Sequence, residues 1–243
     1  MKTELPEIAV IIPALNERAN LEYLLPSLKD VIRGLNLRAE IIVADGGSQD
    51  GTREVAEQHG ASVVIQQERG YGGALLAGFA ASSAPYIITM DADLSHRPVF
   101  IQSFWGQRDA AEMLIASRYV EGGRADMGLF RRVLSLILNR TYSLALSLPL
   151  RDLSSGFRMY HRDALKWEDL EARDFDVLEE ILVRIHTRGC RIREVPFHYM
   201  ARSSGKSHAK LFKFGLAFSK TLFRMWRLRN NTTAAQAQVR DAE

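Results

Sequence analysis

The chain has 243 residues with a net charge of +3, enough for one large α/β domain with an appendage and a substantial core. A single cysteine, Cys190, excludes an internal disulfide and fits a reducing, cytoplasmic setting. From Val195 onward nine Lys/Arg stand against two acids, and this basic stretch on a mildly acidic remainder points to an anionic partner surface. The residues from Met1 to Glu7 are polar and lack the apolar core of a signal peptide. No stretch holds the ~20 uninterrupted apolar residues of a spanning helix.

In chain order, Ile8 to Pro13 is a short apolar run stopped by proline, a first strand. A helix opens near Asn16 to Asn20 and carries apolar residues at helical spacing through Leu28 and Val31, ending at Gly34 and Asn36. Glu40 to Ala44 is a second strand. The turn Asp45-Gly46-Gly47-Ser48-Gln49-Asp50-Gly51-Thr52 and a helix to His59-Gly60 follow. Ser62 to Gln66 is a third strand, and Gly70-Tyr71-Gly72-Gly73 leads into a helix over Ala74 to Ser82. The fourth strand, around Ile87-Ile88-Thr89-Met90, ends in Asp91-Ala92-Asp93. Strands alternating with single helices predict a doubly wound, mostly parallel sheet. Beyond Asp93 the pattern loosens. Met113 to Ser117 and Arg191 to Phe197 read as strands, and Asp174 to Arg188 as a helix stopped by Gly189. Val133 to Leu150 is apolar but carries Asn139 and Arg140. Lys210 to Arg229 is helical, and the residues from Asn230 have the composition of a disordered tail.

Asp91 and Asp93 are two carboxylates two residues apart at a strand's carboxyl end. That is the rim where open α/β sheets bind ligands. Adjacent carboxylates in a dry site repel unless a cation neutralises them, and oxygen donors beside a phosphate suit Mg²⁺ or Mn²⁺. An Asp-x-Asp is also what a turn followed by a helix cap needs. Three turns, Pro13 to Glu17, Asp45 to Ser48 and Asp91 to Asp93, fall on one sheet edge. There Glu17 and Asp45 can accept hydrogen bonds from a base or ribose. Glu17 equally fits a helix N-terminal acid, and Asp45 with Ser48 fits turn chemistry. The Gly70 loop is not a dinucleotide fingerprint, because Leu75 stands where the third glycine is needed. Its glycines fit a close backbone approach or a tight helix entry.

These segments together resemble the GT-A-fold family 2 glycosyltransferases, and within them the dolichol-phosphate (polyprenol-phosphate) mannose synthases. The carrying segments are Pro13 to Glu17 with Asn20-Leu21, Asp45 to Thr52, Gly70 to Gly78, Met90 to Pro98 and Ser117 to Gly123. After Arg131, Ser135 and Asn139 come Asp152 to Tyr160 and Arg202 to Ser207. The resemblance implies a GT-A (Rossmann-like) fold and a metal-dependent, inverting transfer of a hexose from a nucleotide-sugar donor to a polyprenyl or dolichyl phosphate. Mannose from GDP-mannose is the first expectation. By resemblance, Pro13, Leu15, Glu17, Asp45, Asp91, Ala92 and Asp93 bind the donor, with Arg202 and Ser207 in a lid over it. Asp91, Asp93 and Ser95 lie at the metal, and Arg118 and Arg131 clamp the acceptor phosphate. Asp93, Arg118 and Arg131 then carry the catalysis. Each arginine, read alone, is equally a solvated surface charge.

Three departures stand out. Gly46 replaces the second acid usual in the family's second turn, leaving GDP or UDP open. Ser155-Gly156 stands where the mannose synthases usually read Gly-Ser. His208 replaces an expected lysine, with Lys210 nearest.

Over Lys210 to Arg229, Lys210, Lys213, Lys220, Arg224 and Arg227 share one narrow face, opposite a broad arc of Leu, Phe, Met and Trp. That predicts an interfacial helix on an anionic membrane, or a helix docked on the protein's own core with a basic outer face. Val133 to Leu150 is either a second interfacial element or a core helix pair. The organisation expected is a domain over 1–209, the interfacial helix over 210–229 and the tail over 230–243. The protein then lies peripherally on the cytoplasmic face of a membrane, with a separate membrane subunit as a further partner. Nucleic acid is not expected, since no recognition module is visible.

The nearest rival keeps the fold and uses UDP-glucose, UDP-GlcNAc or a non-lipid hydroxyl acceptor. A hydroxyl would need a general base, for which Glu179 and Glu180 are candidates; both otherwise read as an exposed helix face. A sugar-1-phosphate nucleotidyltransferase would want a Gly-rich, Arg-containing loop after the first strand, which Pro13 to Glu17 does not offer. A catalytically silent, membrane-recruiting protein would have no need of both Asp91 and Asp93.

Overall fold

The structure is a computed structural model that describes residues 5–166, 170–200 and 219–230. Arg202 and Ser207, the stretch 210–218 and the tail beyond Asn230 lie outside the described residues, so the expected lid over the donor falls there too.

The first half follows the predicted alternation: β1 (Ile8–Ala14), α1 (Arg18–Gly34), β2 (Ala39–Asp45), α2 (Thr52–Gln58), β3 (Ser62–Ile65), α3 (Tyr71–Ala81) and β4 (Tyr86–Thr89). The second half holds α4 (Ile101–Gly106), β5 (Met113–Ser117), β6 (Arg124–Ala125), α5 (Leu129–Ala145), β7 (Arg158–His161), α6 (Val177–Thr187), β8 (Ile192–Pro196) and β9 (His198–Tyr199). A further helix, α7, covers 219–230.

Among the described residues seven strands form one sheet in the order β3-β2-β1-β4-β7-β5-β8, and β6 pairs with β9 apart from it. All neighbours in the large sheet are parallel except those of β7, which runs antiparallel to both β4 and β5. Alternate strand residues enter different cores, as the two-residue period requires. Ile8, Val10 and Ile12 pack with α1, α2 and α4 through Leu24, Leu28, Val55 and Phe104. Ala9 and Ile11 pack with α3 and α6 through Leu75, Ile181 and Ile185. Both faces are covered, which is why these strands are nearly continuous apolar runs.

Strand β7 is absent from the sequence reading. Its first residue is Arg158, fully buried, and a charged residue in so short a run hides the apolar character of Phe157, Met159 and Tyr160. The guanidinium is tolerated inside because its nitrogens donate to backbone carbonyls: Nε to Ser155 O and Nη1 to Leu178 O, both at 2.7 Å, and Nη2 to Leu153 O.

Helix α5 does not form a core helix pair. Only Asn139 and Tyr142 are buried on it, while Leu129, Phe130, Val133, Leu136, Ile137 and Leu144 are exposed. The apolar arc predicted over 210–229 divides within α7. Met225 is buried, with Leu222 and Leu228 packed beside it, whereas Phe223 and Trp226 face outward and stack on each other. Arg224 Nη2 lies 2.6 Å from Asp176 Oδ2 and ties α7 to the start of α6. Among the described residues no helix is long and apolar enough to cross a membrane.

Candidate active site

Between β1 and β4 the strand order reverses, and the crevice beyond their carboxyl ends is where doubly wound sheets bind ligands. The loops after β1, β2 and β4 meet there. The first two are laced together. Asn16 N donates to Ser48 Oγ (2.9 Å), Gln49 N to Asn16 Oδ1 (3.0 Å) and Glu17 N to Thr52 Oγ1 (2.9 Å). Asn16 sits in the left-handed region at φ 56°, which asparagine tolerates. Glu17 Oε2 accepts from Asn20 Nδ2. Pro13 is half-buried, and Leu15 is exposed beside Gly46, where a Cβ would lie 3.5 Å from it.

Asp45 is turned inward. Its carboxylate is fully buried and accepts from Gly47 N, Ser48 N and Arg53 Nε (2.7 Å). Burial pushes its pKa up, but those hydrogen bonds from Ser48, Arg53 and Gly47 outweigh burial and hold it below the ordinary carboxylate value. The turn chemistry open to Asp45 is therefore realised.

The loop after β4 is the most constrained. Asp93 is 7% exposed, and its Oδ1 accepts from Ser95 N (3.1 Å) and Ser95 Oγ (2.5 Å). Leu94 between them has φ 64°, a conformation that costs a leucine on the order of 1 kcal/mol. Ala92 and Ser95 are buried, and Asp91 is partly exposed. Asp91 N donates to His96 Nδ1 (2.9 Å), so the imidazole proton sits on Nε2, which lies 3.8 Å from Asp91 Oδ2. Stacking on Phe157 holds the ring. On the other side Tyr71 Oη lies 3.2 Å from Asp91 Oδ1. Burial and the Asp91 charge push the Tyr71 phenol well above its ordinary value, so it stays a donor. Both carboxylates offer hard oxygen donors in a largely desolvated rim, which fits a divalent cation completed by ligand oxygens. Among the described residues no group of three or more His, Cys, Asp or Glu is placed to hold a metal alone.

The Gly70 loop is a close backbone approach. A Cβ on Gly70 would lie 2.3 Å from Arg173 O, and Gly72 N donates to that oxygen at 2.7 Å. This contact seats Tyr71 at the edge of the site.

Arg118, at the end of β5, is no solvated surface charge. Its Nε and Nη2 form a fork with Asp152 Oδ2 and Oδ1 (2.7 and 2.6 Å), and Nη2 also donates to Ser154 Oγ. Burial alone would lower its pKa, yet the Asp152 carboxylate raises it. Asn139 of α5 grips the same loop, accepting from Leu153 N (2.8 Å) and Ser154 N (3.2 Å). Glu194 of β8 holds it by accepting from Arg151 N and Asp152 N, and also accepts from Ser117 Oγ of β5. Arg131 stands exposed on the first turn of α5 and makes no hydrogen bond or ion pair among the described residues. The two arginines are thus not equivalent: Arg118 is committed to Asp152 and Arg131 faces solvent. Sequence reasoning missed the roles of Tyr71, Asn139 and Glu194. The last had one signal, a lone acid in the strand Ile192–Pro196.

Glu179 and Glu180 are not an exposed face. Glu180 is buried and accepts from Ala172 N, Glu171 N and Arg184 Nε. Burial pushes the Glu179 carboxyl up to about 7, against the pull of the Arg158 guanidinium. The folded state therefore keeps a proton that the unfolded chain releases above its ordinary pKa of 4.5, and the Glu179 contribution to stability falls as pH rises towards about 7. Glu179→Gln should raise the melting temperature near pH 8 and leave it almost unchanged near about pH 4. Equal shifts at both pH values in differential scanning fluorimetry would reject this assignment.

Fold and site together define an α/β protein with a carboxylate-lined crevice at the switch point of a mostly parallel sheet. The family described as glycosyl transferase family 2 matches residues 9–167, and the chain belongs to that family and is a glycosyltransferase. Among curated relatives, a dolichol-phosphate mannosyltransferase of Pyrococcus furiosus is 32% identical over 84% of this chain, which spans 59% of that relative's length. A dolichyl-phosphate hexose transferase of Haloferax volcanii is 27% identical over 90% of this chain and 93% of its own. Among solved structures, glucosyl-3-phosphoglycerate synthase of Mycobacterium tuberculosis superposes with a TM-score of 0.70 at 22% identity. The match covers 92% of this chain and 80% of that one, in a complex with Mn²⁺, UDP and glucosyl-3-phosphoglycerate. A Mg²⁺ and UDP complex of the same protein gives 0.71 at 24% identity, covering 92% and 79%. At those identities the likeness establishes the GT-A fold.

Proposed function

We propose that the protein transfers a hexose from a nucleotide sugar to a polyprenyl phosphate at a membrane surface, with mannose from GDP-mannose as the first candidate donor. The observation that carries the lipid acceptor is α5. It turns Leu129 (77% exposed) and Phe130 (70%) outward, with Val133 and Ile137, beside the exposed Arg131, Arg132 and Arg140. Apolar side chains interleaved with arginines on one exposed helix suit an anionic lipid surface. The outward Phe223 and Trp226 of α7 extend that chemistry, and the basic stretch 210–229 is assigned the same interfacial role. The relatives' names support a dolichyl-type acceptor.

In this reading the donor nucleoside lies across the loops after β1 and β2, against Pro13, Leu15 and Glu17, with Asp45 shaping the turn from within. Its diphosphate meets Asp91, Ala92 and Asp93. Asp91 and Asp93, with Ser95 alongside, would hold a Mg²⁺ or Mn²⁺, which would supply Lewis-acid neutralisation of the departing diphosphate; the metal complexes of the solved neighbour support this choice. An acceptor phosphate oxygen attacks the anomeric carbon while the bond to the β-phosphate oxygen breaks, inverting the centre. The phosphate is already ionised, so no side-chain base is needed, and positioning dominates. Arg131 supplies the solvent-facing guanidinium for that phosphate. Arg118 is assigned to the same phosphate, its guanidinium held in place by Asp152. Arg202 and Ser207 are assigned to the lid, the tail to 230–243, and the protein to the cytoplasmic face as a peripheral enzyme, with or without a membrane subunit.

The test is transfer by purified protein with Mn²⁺ or Mg²⁺ and a short polyprenyl phosphate, comparing GDP-mannose, UDP-glucose and UDP-GlcNAc. Transfer from GDP-mannose is expected. Transfer from a UDP sugar alone would keep the reaction and discard mannose. Transfer only to a soluble hydroxyl acceptor would discard the lipid.

A further inference from the structure

Tyr71 and Gly156 come from segments far apart in the chain and meet at Asp91. Tyr71 is the first residue of α3. Its ring is stacked on Phe175 with centroids 4.7 Å apart and planes 17° apart, and its hydroxyl lies 3.2 Å from Asp91 Oδ1. Gly156 precedes Phe157, and its carbonyl accepts from Thr89 Oγ1 at 2.8 Å, which pins the loop against the end of β4. A Cβ at position 156 would lie 2.7 Å from Tyr71 Oη and 3.4 Å from Asp91 Oδ1. The first distance is well inside van der Waals contact. The tyrosine cannot retreat easily, because Phe175 backs its ring and the Gly70 loop is pinned to Arg173.

We propose that Tyr71 is a positioning residue for the cation-binding carboxylate, and that Gly156 exists to give its hydroxyl room. The proposal rests on the donor reading above. The hydroxyl holds Oδ1 of Asp91 while the backbone N–H of Asp91 is held by His96 Nδ1, so both the carboxylate and its main chain are oriented before any ligand arrives. The glycine shifted to position 156 and the tyrosine in the Gly70 loop are then one feature. A side chain at 156 and a hydroxyl at 71 exclude each other.

The experiment is isothermal titration of GDP and of UDP, with and without Mn²⁺, into the full chain and into Tyr71→Phe, Gly156→Ala and the double variant. Tyr71→Phe keeps the stacked ring, so its melting temperature should stay close to that of the unsubstituted protein. Its Mn²⁺-dependent nucleotide affinity should fall about tenfold, the size of one lost hydrogen bond to a charged group. Metal-free nucleotide binding should not change. Gly156→Ala should cause a comparable loss in the tyrosine background and little further loss once Tyr71 is phenylalanine, because the atom it strikes is gone. Unchanged Mn²⁺-dependent affinity in Tyr71→Phe, or an additive double variant, would overturn the proposal while leaving the donor reading intact. Absence of Mn²⁺-dependent nucleotide binding in the unsubstituted protein would overturn the donor reading and this proposal with it.

Discussion

Asp93→Asn is expected to reduce sugar transfer by about 10³-fold or more while leaving the fold intact, the loss typical of removing a charge that acts on the departing group. Asparagine is nearly isosteric and can keep an oxygen facing Ser95 N and Oγ, the contacts that define the loop. What it removes is the negative charge. In the absence of metal that charge sits almost buried beside Asp91, with Leu94 in the left-handed region between Asp93 and Ser95. A carboxylate this deeply buried is costly without a cation, so without metal the variant should melt at the same temperature or higher. The sign is diagnostic. Mn²⁺ with a nucleoside diphosphate should raise the melting temperature of the unsubstituted protein and not that of Asp93→Asn. If both were stabilised equally, Asp93 would be a turn residue and no metal ligand.

Arg158→Met should be the most destabilising single change in the second half of the chain. Methionine replaces the stem of the arginine but donates nothing, leaving the carbonyls of Leu153, Ser155 and Leu178 without their guanidinium donors. At roughly 1–3 kcal/mol for each buried acceptor, partly offset by relaxation, a loss of about 3–5 kcal/mol is expected. That is a large share of the roughly 5–15 kcal/mol typical of a folded domain, and corresponds to a fall of about 10 °C or more. Arg158→Lys should rescue little, because one ammonium cannot reach three carbonyls spread over a loop and a helix. Urea unfolding of both variants checks the magnitude. A midpoint unchanged in Arg158→Met would mean that water replaces the guanidinium and that the loop does not depend on it. Loss of Arg158 also removes the cation that pulls the Glu179 carboxyl down, so the fall in stability assigned to Glu179 should extend to higher pH.

These two residues mark what could be read from the chain and what could not. The strands β1, β2, β4, β5 and β8, and the convergence of three loops on one edge, follow from apolar runs, turn residues and the alternation of strand with helix. Those are local properties, written at periods of two and 3.6 residues. The pair Asp91 and Asp93 was legible for the same reason: strand, turn and carboxylates are contiguous. Strand β7 was not, since Arg158 is acceptable inside only through carbonyls supplied by a loop and by α6. The composition of Val133 to Leu150 showed an apolar segment but not whether anything covers it; the fold leaves Val133 and Ile137 outside and takes Asn139 in. Nor could composition tell that Asp45 is spent on Arg53 and its own turn, that Arg118 is spent on Asp152, or that Tyr71 reaches Asp91 across 20 positions. A hydrophobic pattern is a property of neighbouring residues, fixed by backbone geometry before folding. The partner of a polar group is decided by which distant segments tertiary packing brings within about 3 Å, and that distance has no counterpart in the order of the letters.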